Sequence, residues 1–79
     1  MDKIQIEDIE KWRSKITDVL DVIQPIDDKS EEMFNNMKAY VSDSTFFLAK
    51  GDLVRSFEAL IWAFAIYETC KELGLFINR

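Results

Sequence analysis

Histidine is absent from this 79-residue chain, and cysteine occurs once, as Cys70. A lone thiol closes no internal disulfide and, with no imidazole beside it, builds no zinc site. Neither a cross-link nor a structural metal is therefore expected to stabilise the fold. Glycine occurs twice and proline once, so few breakers interrupt the elements. Long hydrophobic runs are missing too. The longest, Ala59 to Tyr67, has nine residues, against roughly 20 needed to span a bilayer. Met1-Asp2-Lys3 leads into alternating polar and apolar residues without the apolar core of a signal peptide. A cytoplasmic protein is expected, with no membrane association and no cofactor. A basic stripe, which nucleic acid would require, is also lacking. The net charge is −5, with ten acids against five bases through Glu32 and five against five from Met33 onward. Nucleic acid is disfavoured as a partner.

Hydrophobic residues make up 48% of the chain and charged residues 32%, a globular composition. The length allows one domain, residues 1–79. In its first segment apolar residues recur at Ile9, Trp12, Ile16, Val19, Ile23 and Ile26. Alternating steps of three and four make a helical seam. Pro25 should end this helix near Ile23 or Gln24, giving helix 1 over about 4–24. Asp28 with Glu31 has capping-box spacing and predicts a second helix over about 29–50. Its seam runs through Phe34, Met37, Val41, Ser44 and Leu48, and Gly51 stops it. Asp52 restarts the chain as an N-cap. Helix 3, about 53–73, carries Leu53, Phe57, Leu60, Ile61, Phe64 and Tyr67 on its expected core side. Gly74 is a second glycine stop. Short connections make neighbouring helices antiparallel. The expected fold is all-α, an up-down-up three-helix bundle.

Two features exceed what such a bundle needs. Helix 3 is apolar on every side around Ala59 to Tyr67, and at about 100° per residue Trp62 and Ile66 fall nearly opposite Phe57 and Phe64. Helix 2 carries Phe46 on its back and Phe47 on a flank. A helix apolar all round is normally buried all round, so something should cover this surface.

Tyr40, Asp43-Ser44, Phe47-Leu48, Lys50-Gly51-Asp52, Ser56-Phe57-Glu58-Ala59, Trp62-Ala63 and Leu73-Gly74-Leu75 resemble a small archaeal family catalogued as domain-of-unknown-function family 357. The likeness is detailed over roughly the C-terminal half; helix 1 matches in length and amphipathic character. It implies a three-helix bundle and an archaeal source, and supplies no activity. Two departures stand out: Ser56 replaces a small apolar residue, and Glu68-Thr69-Cys70 replaces Asp-Ala-Gly. Gly51-Asp52-Leu53 with Ala63 is also similar to a tetratricopeptide hinge. Such repeats need about three copies, and this chain has no internal repeat.

Candidate sites follow from these positions, each with a plainer alternative. Phe46, Trp62 and Ile66 are the interface candidates, since exposed aromatics are enriched in contact cores; scattered surface residues are the alternative. Glu58 is either a partly buried carboxylate able to bind a ligand or move a proton, or a structural acid hydrogen-bonded to Ser44. Glu68 points toward the seam, either as a polar ligand site or as a solvated acid partnered by Asn36, Lys29 or Lys71. Asp43, Asp52 and Glu58 could converge on a hard cation, although Asp52 is already explained as a cap. Cys70 is a packing residue or a reactive thiol. Tyr40 and Tyr67 should pack with their hydroxyls at the rim.

The leading expectation is a non-catalytic interaction module that self-assembles as a homo-oligomer or docks another protein. The alternative is a ligand-binding or enzymatic bundle using Glu58 and Glu68. That alternative lacks a nucleophile–base pair, a phosphate loop and metal-ligand spacing.

Overall fold

The computed structural model describes residues 3–79. Met1 and Asp2, which open the segment expected to lack a signal sequence, lie outside them. Five elements follow in order: α1 (Ile6–Val22), β1 (Ile23–Pro25), α2 (Asp28–Ala49), α3 (Leu53–Glu72) and β2 (Phe76–Asn78). The helices form the expected up-down-up bundle. α3 packs most extensively on α2 and less on α1, while α1 and α2 touch only lightly.

α1 is shorter than expected at both ends. Gln5 precedes it, its backbone N–H donating to Asp8 Oδ2 at 3.1 Å. At the other end Ile23 is already extended, with φ −97° and ψ 157°. The reason is a two-stranded ribbon that helical periodicity did not reveal. β1 pairs antiparallel with β2 in the register Ile23 to Asn78, Gln24 to Ile77 and Pro25 to Phe76. Flanking bonds extend the ribbon, from Ile26 N–H to the Leu75 carbonyl at 3.2 Å and from Arg79 N–H to the Val22 carbonyl at 2.8 Å. Pro25 needs no amide of its own at a strand edge.

The start of α2 also differs. Asp27, not Asp28, is the N-cap, and Ser30 rather than Glu31 completes the box. Asp27 Oδ1 accepts from Ser30 N–H at 2.9 Å. Ser30 Oγ in turn accepts from the amides of Ile26 and Asp27, each at 3.0 Å. Ser30 is fully buried, and its hydroxyl satisfies the chain entry. These bonds from Ser30 hold the Asp27 carboxyl below its ordinary value of 3.8. A carboxyl with a lowered folded value stabilises above the unfolded value and loses that contribution as pH falls through the lowered one. Asp27→Ala should therefore lower the melting temperature at neutral pH. The deficit should vanish as the pH falls below 3.8 and through the lowered folded value, checked by circular-dichroism melts across pH.

Both later helices end in the same way. Gly51 N–H donates to the Leu48 carbonyl and Asp52 N–H to the Phe47 carbonyl. Gly74 N–H donates to the Lys71 carbonyl and Leu75 N–H to the Cys70 carbonyl. These are paired Schellman bonds, and they require the left-handed φ of +77° at Gly51 and +74° at Gly74. Asp52 then caps α3, accepting from Arg55 N–H at 3.0 Å.

The core consists of Ile9, Ile16, Ile23, Met37, Leu60, Ala63, Cys70 and Phe76. One polar node interrupts it and joins all three helices. Arg13 Nη2 donates to Ser44 Oγ at 3.0 Å, and the Ser44 and Ser56 hydroxyls lie 3.0 Å apart. Ser56 Oγ also donates to the Ser44 carbonyl at 2.8 Å. Both serines are fully buried. Arg13 Nε is enclosed and, among the described residues, has no hydrogen-bond partner.

Candidate functional site

α3 determines the surface, and its rotation differs from the sequence expectation. The buried residues of this helix are Ser56, Ala59, Leu60, Ala63 and Cys70. This stripe of mostly small side chains lets α2 approach closely. The large residues of the expected seam, Phe57, Phe64 and Tyr67, are only half-buried and lie along the flank. The true contact line is roughly a quarter-turn away from the aromatic seam. Backbone proximity, rather than side-chain size, set the orientation.

That rotation accounts for several differences. Ile61, expected in the core, is 52% exposed. Ile66, expected opposite the seam, is half-buried against the core cluster. Glu58 is exposed, so the partial burial expected of it does not occur. Ser44 bonds Arg13 and Ser56, not Glu58. Glu68 turns out to solvent in a shallow depression shared with Thr69, Glu72 and Leu73. Lys29, a suggested partner for Glu68, pairs with Glu32 at 3.7 Å.

The proposed cation cluster is not assembled. Among the described residues no three His, Cys, Asp or Glu side chains converge to hold a metal ion. Asp52 is occupied as a cap and also pairs with Arg55 at 3.7 Å.

Trp62 is 54% exposed and stacks on Tyr40 of α2, with centroids 6.4 Å apart and ring planes 21° apart. With Met33, Ala65, Ile66, Thr69 and Cys70 it lines an apolar groove of about 240 Å³ between α2 and α3. A second apolar groove, of about 130 Å³, lies between α1 and α3. It is lined by Trp12, Phe57, Leu60, Ile61 and Phe64. Trp12, expected in the core, is its rim, set edge-on to Phe64 at 5.4 Å with Lys15 4.5 Å above the indole. Nothing in the sequence marks Trp12 as a surface residue, because its heptad position alone points inward.

The interface candidates thus separate. Trp62 and Ile66 share one groove. Phe46 is 58% exposed on the back of α2, edge-on to Phe47 at 5.5 Å and under Lys50, and is not among the groove's lining residues. Tyr67, half-buried, carries Lys71 5.6 Å over its ring.

Cys70 sits at the floor of the Trp62 groove and is buried. Burial pushes its thiol above the ordinary 9.0. Thiolate is the reactive form, so the folded protein should react with iodoacetamide far more slowly than the urea-unfolded chain. Equal rates, followed by mass spectrometry, would show that the thiol is accessible after all.

The family model described as "Protein of unknown function (DUF357)" matches residues 7–76. The chain belongs to this family. The match takes in α1 as well, so the likeness is not confined to the C-terminal half. Among solved structures the DUF357 chain is similar to the crystal structure of protein AF1782 from Archaeoglobus fulgidus, assigned to the same family model. The identity is 37%, the TM-score is 0.82, and the match covers 92% of this chain and 91% of that one. A search of curated proteins finds no match. Among the described residues of this DUF357 protein, no helix is long and apolar enough to cross a membrane.

Proposed function

We propose that this DUF357 chain is a helical interaction module without chemistry of its own, which binds another polypeptide through the outward face of α3 and the grooves beside it. One observation carries this: Trp62, 54% exposed, stands next to Ile61, 52% exposed, on the helix that forms the centre of the bundle. Contiguous apolar surface is uncommon on free monomers and marks contact sites, and aromatic residues are enriched at the centres of such sites. Each is already about half-buried, so covering the rest contributes roughly 0.8–1.5 kcal/mol apiece, and the grooves on either side must supply the remainder of what association costs. The lone reduced thiol and the archaeal neighbour support work in the cytoplasm of an archaeon.

The ligand-binding alternative gains no support, because Glu58 and Glu68 are both exposed and do not face one enclosed polar cavity.

The test is site-specific photo-crosslinking in the native cell, with benzoylphenylalanine at position 62 and, separately, at exposed Lys11 of α1. Discrete protein adducts are expected from position 62 and none from position 11. No adduct at 62 defeats the proposal. Light scattering behind a sizing column separates its two forms. A dimer that requires Trp62 is self-assembly, and a monomer docks a different protein.

A further inference from the structure

The charge on the α3 face selects between those forms. Val54, Glu58, Ile61, Ala65, Glu68 and Glu72 follow one another at alternating steps of four and three, which places them along one line of the helix. All six are exposed. The centre of the line, at Ile61 and Ala65, is apolar and lies between the two grooves; Glu58 flanks it on one side, with Val54 beyond, and Glu68 and Glu72 flank it on the other. Among the described residues neither ion pair involves these acids, since the pairs are Lys29–Glu32 and Arg55–Asp52.

A second copy of the chain brings no base along this line to pair with its acids. Antiparallel docking about Ala63 sets Ile61 on the partner's Ala65 but brings Glu58 against the partner's Glu68. Parallel docking sets each glutamate on its own equivalent. Like charges brought together across an interface are repelled, which disfavours the wrong partner. A helix of opposite charge fits well. From Val54 to Glu72 the line is about 27 Å long, the length of an ordinary partner helix, and the grooves on both sides can take its large apolar side chains.

We propose that the α3 face binds a basic amphipathic helix of another protein, with apolar residues seated over Ile61, Ala65 and Trp62 and Lys or Arg paired with Glu58, Glu68 and Glu72. This rests on the docking proposal above. On an antiparallel partner the cations opposite Glu72, Glu68 and Glu58 recur after about four and then about ten residues. This pattern can be sought in candidate partners.

The test uses the full chain and synthetic helical peptides of about 20 residues. One carries a leucine seam flanked by lysines at that spacing, and its control has glutamate for each lysine. Calorimetry should detect the lysine peptide and not the control. Glu58→Gln, Glu68→Gln and Glu72→Gln together should weaken binding roughly tenfold, the combined effect of three exposed ion pairs. Added salt should weaken it too. Because α1 is also acidic, Glu7→Gln, Glu10→Gln and Asp18→Asn together serve as the charge-matched control and should leave the affinity unchanged. The inference is overturned if both peptides bind alike, if neither binds, if the α1 triple variant loses as much as the α3 one, or if the wild-type chain dimerises with crosslinks from position 62 to its own copy. The absence of native adducts at position 62 defeats the broader docking proposal as well. Adducts with charge-indifferent peptide binding defeat this one alone.

Discussion

Phe76→Ala should cost about 3–5 kcal/mol, the usual range for removing a buried aromatic ring. Phe76 is 7% exposed and stands edge-on to Phe34 of α2, with centroids 6.2 Å apart at 77°. Its strand is tied to β1 and thereby to the end of α1, so one ring closes the bundle's base across the two strands. Domains of this size sit near the low end of the ordinary 5–15 kcal/mol range. A loss of this size should leave much of the chain unfolded at 37 °C. The neighbouring position supplies the control. Side chains alternate across a strand, and Ile77 is exposed, so Ile77→Ala should cost less than about 0.5 kcal/mol. Urea denaturation of both variants checks this. A Phe76→Ala cost under about 1 kcal/mol would mean that the ribbon is an ornament rather than a closure.

Why that ribbon escaped sequence reasoning is physically plain. Phe76-Ile77-Asn78 is too short to show a period, and its partner lies some fifty positions earlier beside Pro25, where a helix stop was already expected. Pairing over such a distance leaves no local trace. Helices are different. Gly51 and Gly74 marked both later stops, because only residues free to adopt positive φ suit a Schellman ending. Asp52 marked a start because an aspartate after a glycine stop has an amide to cap. The α2 entry lies one residue before the expected cap, because Asp27 and Asp28 both suit the role and buried Ser30 decides between them. The site was half legible. Excess apolar surface around Trp62 followed from composition and spacing. Its geometry did not, because bulky side chains dominate a hydrophobicity pattern and small ones leave little mark on it. α3 meets α2 through Ser56, Ala59 and Ala63, residues that look featureless on a hydrophobicity pattern. Small side chains permit the closest approach of two helices, and that approach turned Glu58, Ile61 and Glu68 outward together.

Leu60 and Ile61 put this rotation to a direct test, because both belonged to the expected core line and they are adjacent. Leu60 is 1% exposed and Ile61 is 52% exposed. Leu60→Ala removes contacts with the core and leaves a cavity between helices that cannot fully collapse, a loss of about 2–5 kcal/mol. Ile61→Ala removes side-chain atoms that already face water. It should cost less than about 1 kcal/mol, part of it from the groove shared with Trp12 and Phe64. Two neighbouring β- or γ-branched aliphatics thus differ several-fold in effect, and thermal melts of the two variants measure the ratio. Equal losses would return α3 to the aromatic seam and bury the proposed docking face. The order should reverse when a partner is bound. Ile61 then lies at the centre of the contact, where a handful of central residues carry most of the affinity. A variant with a nearly native melting temperature should bind markedly more weakly. The free bundle does not need Ile61 for its fold, so its side chain is available to a partner.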